Sequence, residues 1–101
     1  MTEPIWGEFW ISLTSVLRSY IAAYELHKGR QAVVEHDEQR ITARHGDKWI
    51  ELRRTHAAIA WKRENGESGA LELTEHGRLR SASGEQELDM AAEAWARELM
   101  Q

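Results

Sequence analysis

"THAAIAWKRENGESGALEL" (residues 55–73) decides how this chain folds. Ile59 and Trp61 share one side of an extended chain, while Ala58, Ala60 and Lys62 share the other. The direction of that strand decides whether Trp61 is packing or a binding site. Burying Ile59 with Trp61 gains several kcal/mol at roughly 25 cal/mol per Å². The opposite choice turns Lys62 inward, where its ammonium must still find water. Local physics therefore turns Trp61 inward, and a slip of one residue would reverse the whole strand. "ENGESG" (64–69) lacks the strand, Gly-rich turn and helix of a phosphate cradle, so it reads as a hairpin loop.

The same period of two extends through the middle of the chain. "AVVEH" (32–36), "RITARH" (40–45), "KWIELRR" (48–54), "AAIAWKR" (57–63), "ALELTE" (70–75) and "RLRSA" (78–82) read as strands. The turns between them, at Asp37–Gln39, Gly46-Asp47, the 64–69 loop and His76-Gly77, predict an antiparallel meander. On the third strand Ile50 and Leu52 share one face, and Trp49, Glu51 and Arg53 the other.

Both flanks change to helical period. Trp6, Phe9, Trp10, Leu13, Val16, Leu17, Tyr20 and Tyr24 form one stripe, opened by Thr2 and Pro4 and stopped by Gly29. "SGEQ" (83–86) reads as a capping box that starts a second helix over 85–100. Its apolar stripe is Leu88, Ala91, Ala92, Trp95 and Leu99, with Glu93 and Arg97 as an i,i+4 pair. The expected fold is α+β: a single domain over 1–101. The N- and C-terminal helices pack on one face of an antiparallel five- or six-stranded sheet.

The composition suits a folded domain: 101 residues, 42% hydrophobic, 30% charged, with five tryptophans to carry burial. No apolar run approaches the roughly 18 residues of a membrane span. No cysteine is present, which excludes disulfides and thiolate metal sites. A cytoplasmic location is expected, because no secretory pattern opens the chain. The net charge of −4 resides in residues 85–101, where five acids face Arg97 alone. Along the sequence no run of Lys and Arg stands unopposed, so no nucleic-acid partner is expected.

Five histidines are present, but none forms His-Glu-x-x-His. Glu35, His36, Asp37 and Glu38 offer mixed oxygen and imidazole ligands at a hairpin tip. That set holds a divalent ion such as iron at most weakly; charged residues there also blunt a sheet edge. No tight cofactor is expected. No acid–base–nucleophile order stands out around Ser81, Ser83 and His76, so the chain is not expected to be an enzyme. Trp49 is different, because an aromatic beside Glu51 and Arg53 on an uncovered sheet face resembles an interface anchor.

"HGDKWIELRRTHAAIAW" (45–61) and "LELTEHGRLRSASGEQELDM" (71–90) resemble the second half of the frataxin family. Trp61 falls on the tryptophan of that family's Gln-Val-Trp motif. Ser83, Gly84 and Glu85 fall on its Ser-Gly-Glu opening of the closing helix. The resemblance implies a two-layer α+β fold, and it would turn Trp61 outward beside Trp49 as a partner-binding residue. It also implies iron binding in iron–sulfur cluster assembly through acids on the first helix and strand. Here the exposed side of the first helix offers Glu8 as its acid, with Arg18 opposing it. The leading expectation is therefore a non-catalytic accessory protein that binds another protein through its open sheet face, at Trp49, Glu51, Arg53 and, on the resemblance, Trp61. The alternative is a divergent frataxin-like iron-binding protein.

Overall fold

The computed structural model describes residues 3–28, 31–55, 58–74, 77–81 and 84–100, with side chains of the first helix described from Gly7 to Leu26. Helix α1 spans Glu3–Lys28. Seven strands follow: β1 (Val33–His36), β2 (Arg40–His45), β3 (Lys48–Arg54), β4 (Ala58–Arg63), β5 (Ser68–Leu73), β6 (Leu79–Ser81) and β7 (Gly84–Gln86). Helix α2 (Leu88–Met100) closes the chain. Every strand pairs antiparallel with the next, so the sheet is a simple meander in sequence order. The two helices pack side by side against one face of this open sheet. The expected α+β two-layer arrangement is what forms, with one strand more than expected.

Alternation along the strands builds the core. Ile41 and Ala43 of β2, Ile50 and Leu52 of β3, Ile59 of β4, Leu71 of β5 and Leu79 of β6 are all buried on the helix side. From above, α1 contributes Trp10, Leu13, Leu17 and Ile21, and α2 contributes Ala91, Ala92, Trp95, Ala96, Leu99 and Met100. The alanines of α2 let that helix approach α1 closely, while Trp95 and Leu99 fill the space above the sheet. The Tyr24 hydroxyl donates to Glu93 Oε1 at 3.1 Å, tying one helix to the other. Glu93 also meets Arg97 at 3.2 Å, the expected i,i+4 pair.

Turn chemistry sets the register. Gly46 (φ 61°) opens the two-residue turn between His45 and Lys48, the first central position where a II′ hairpin turn requires glycine. The β1–β2 turn is held by Asp37, whose Oδ1 accepts the backbone N–H groups of Gln39 (2.7 Å) and Arg40 (2.8 Å). Trp10 Nε1 donates to the Asp37 carbonyl at 2.8 Å, which fixes the start of α1 above that turn. Between β4 and β5, Asn65 Oδ1 accepts the Glu67 N–H at 2.9 Å, so the hairpin reading of this loop holds for residues 64–67.

Several boundaries depart from the sequence reading, three of them with consequences for the fold. Ser68 and Gly69 belong to β5 rather than to the loop before it. Gly84, Glu85 and Gln86 form β7, paired with Ser81, Arg80 and Leu79. Helix α2 accordingly starts at Leu88, with Asp89 rather than Glu85 in its first turn. Ladder hydrogen bonds to β6 thus displace the capping box predicted at 83–86. Thr2, Gly29, His56, His76 and Ser83 lie outside the described residues, as does the side chain of Trp6.

Candidate functional site

The helices leave the second face of the sheet bare, and the ladder determines which side chains meet there. Arg44 lies opposite Trp49, Thr42 opposite Glu51, and Arg40 opposite Arg53. Glu51 and Arg53 in turn face Lys62 and Ala60 on β4. Their neighbours Ile41, Ala43, Ile50, Leu52 and Ile59 are buried under the helices, and Trp61 packs against that core, so alternation sends this set outward. Trp49 is half-buried within it, and Arg40, Arg44, Arg53 and Lys62 are exposed. Arg53 donates to Glu51 Oε1 at 3.1 Å. Farther across, Arg80 meets Glu72 at 2.6 Å. Val33, 58% exposed, ends the face at the β1 edge.

Trp61 does not join them. Its cross-strand partners are Leu52 and Gly69, and its ring packs against the core on the helix side, as strand alternation requires. Of the four residues expected to bind a partner, the structure brings Trp49, Glu51 and Arg53 together and places Trp61 on the opposite face. The Arg63 guanidinium lies over the Trp61 ring, 4.4 Å from its centroid, and meets Glu67 (2.9 Å) and Glu98 of α2 (2.5 Å). With Trp95, Gly69 and Leu71, Trp61 lines a cleft of about 480 Å³ beside α2. Two helices about 10 Å apart cover about four strands, so a seven-stranded sheet leaves this margin open.

The residues read as weak metal ligands are dispersed. Glu35 pairs with Thr42 and shares the bare face, whereas His36 pairs with Ile41 on the helix side. Asp37 is committed to its turn. Among the described residues, no three His, Cys, Asp or Glu side chains converge on a point. His36, Asp37 and Glu38 instead line a groove of about 580 Å³ against Trp10, Ile11 and Arg18 of α1. Two backbone donors hold the Asp37 carboxyl below its ordinary value of 3.8, the Gln39 N–H contributing most and the Arg40 N–H next. A depressed folded-state value adds stability above the unfolded value that disappears as pH falls through the folded one. Asp37→Asn should therefore lower stability at neutral pH, and the gap to the parent chain should close progressively below pH 3.8 in acid melts.

The sequence sets His45 across a predicted hairpin from His36, but the ladder pairs His36 with Ile41 and leaves His45 at the far end of β2. His45 is buried, and its Nδ1 lies 3.2 Å from the Leu99 carbonyl at the end of α2. The signal for that burial was present: Ile41, Ala43 and His45 alternate onto one face, and a buried imidazole there must find a partner. No family model, curated protein or solved structure matches this chain. Among the described residues, no helix is long and apolar enough to cross a membrane.

Proposed function

We propose that this chain is a non-catalytic accessory protein that binds another protein through the bare face of its sheet. One observation carries the reading. Trp49 stands half-buried opposite Arg44, with Glu51 and then Arg53 farther along the same strand, on the face that neither helix covers. A tryptophan kept at such a position costs solubility, and together with arginine it is the residue type that interfaces use as an anchor. The fold supports the role, because seven consecutive hydrogen-bonded strands hold these side chains on one continuous surface.

A photo-crosslinking residue at Thr42, beside Trp49 on the bare face, should form a discrete adduct in extract of the native host. The same residue at Ser19, on the exposed side of α1, should not. Trp49→Ala should abolish the Thr42 adduct while changing stability by no more than about 1 kcal/mol, since the side chain is only half-buried. Adducts from Ser19 alone would sink the reading. The element order, with helices first and last and a meander between, favours a second reading as a frataxin-like iron-handling protein. Micromolar ferrous binding that maps by NMR to Glu35, Asp37 and Glu38 would favour it over the first.

A further inference from the structure

We infer that the bare face recognises an acidic segment of its protein partner, with carboxylates flanking an apolar or aromatic side chain that seats on Trp49. The inference rests on the partner-binding reading above and adds the partner's chemistry to it. On strands β2 to β4 this face carries four cations, Arg40, Arg44, Arg53 and Lys62, against one carboxylate, Glu51. Arg53 already engages that carboxylate at 3.1 Å. Arg44 and Lys62 make no ion pair among the described residues.

This local excess is opposite in sign to the chain's net charge of −4, so it does nothing for solubility. It also has a cost, because the ladder places Arg40 directly opposite Arg53, and like charges at facing positions destabilise a sheet. A bound anion relieves that repulsion. Along the sequence the excess is hidden, because Asp37, Glu38, Asp47 and Glu64 alternate with these cations. The meander sends those four acids into turns and strand ends, where Glu64 Oε1 accepts the Trp49 backbone N–H at 3.3 Å, and gathers the cations on the face. Guanidinium groups hold carboxylates through paired N–H donors, and acids at alternate positions of an extended segment recur about every 7 Å, within reach of neighbouring cations.

Two other anionic occupants fit less well. Single-stranded nucleic acid binds open sheets by stacking successive bases on several aromatics along a basic track. Trp49 is the one aromatic on this face among the described residues, and Glu35, Glu72 and Glu85 interrupt the track at its margins. A second copy would have to offer its own acidic α2. There Glu93 already pairs with Arg97, and Glu98 with Arg63.

The test uses the full chain and a Glu/Asp-rich peptide with one central phenylalanine, followed through the indole N–H resonance of Trp49. The peptide should shift that resonance, bind more weakly as salt rises, and lose roughly tenfold or more in affinity to Arg44→Glu/Lys62→Glu. Both substituted positions are exposed, and a thermal melt verifies that the variant folds; Arg44→Gln/Lys62→Gln should show a smaller loss. Equal binding by a Gln/Asn analogue of the peptide would overturn the inference. So would tighter binding by oligothymidylate, or self-association that the charge reversal abolishes. If the Thr42 adduct forms but the acidic peptide does not compete with it, the acidic chemistry is wrong and the partner-binding reading stands. If no adduct forms, that reading falls, and the inference falls with it.

Discussion

Trp10→Ala should cost about 3–5 kcal/mol, the range for removing a large buried aromatic, and should be among the most damaging single substitutions in the chain. Trp10 is only 3% exposed, and it serves two elements at once. Its ring fills the space between α1 and the sheet, and its Nε1 donates to the Asp37 carbonyl at 2.8 Å. Thr14 in turn donates its hydroxyl to the Trp10 carbonyl at 2.9 Å, so a buried polar side chain of the next helical turn is satisfied at the same place. Trp10→Phe separates the two roles. It keeps most of the apolar contact but loses the indole donor, which should cost about 1–2 kcal/mol. In denaturant melts the order should be parent, Trp10→Phe, Trp10→Ala. Equal losses for Phe and Ala would mean that the hydrogen bond to the turn, rather than packing, holds α1 in place.

The same pair of elements shows what the sequence reveals and what it conceals. Phe9, Trp10, Leu13, Val16 and Leu17 recur at helical spacing, and buried Trp10, Leu13 and Leu17 with half-buried Phe9 and Val16 follow directly from that pattern. The bond from Trp10 to Asp37 joins residues 27 apart, and no local pattern encodes it. Gln86 illustrates a conflict between levels. Ser83-Gly84-Glu85-Gln86 satisfies the spacing of a capping box, yet Gln86 pairs with Leu79 because the free edge of β6 offers ladder bonds to the returning chain. The bare face was legible only in part. Alternation alone sets Trp49, Glu51 and Arg53 on one side of β3, but their meeting with Arg44, Arg40 and Lys62 depends on cross-strand register. Register becomes readable only once every turn is known. Trp61 faces the helices, as Ile59 and Lys62 require of the same strand, and not outward as the resemblance implied.

That strand supports the last prediction, which couples Trp61 to a residue with no side chain. Gly69 is the cross-strand partner of Trp61, and the indole ring lies flat across it. A Cβ built on Gly69 would stand 2.7 Å from Trp61 Cζ2 and 2.8 Å from Cε2, closer than such atoms approach. The ring covers a backbone that glycine would otherwise leave unshielded in the strand, and glycine leaves the ring room to lie down. Trp61→Ala should therefore cost about 2–3 kcal/mol, somewhat under the range for a fully buried aromatic, because the ring keeps one edge in the cleft beside α2. It also loses the cation–π contact with Arg63. Gly69→Ala in the parent chain should cost about 1–2 kcal/mol, since the new methyl lifts the ring off the strand and away from Leu71. Once Trp61 is alanine there is nothing to lift, and alanine suits a strand better than glycine. Gly69→Ala should then become neutral or slightly stabilising, with an interaction energy between the two sites of about 1–2 kcal/mol. Denaturant melts of the two single variants and the double variant measure that coupling directly. If Gly69→Ala costs as much without the tryptophan as with it, the ring does not rest on Gly69. The inward Trp61 would then have to be reconsidered together with the register of β4 against β5.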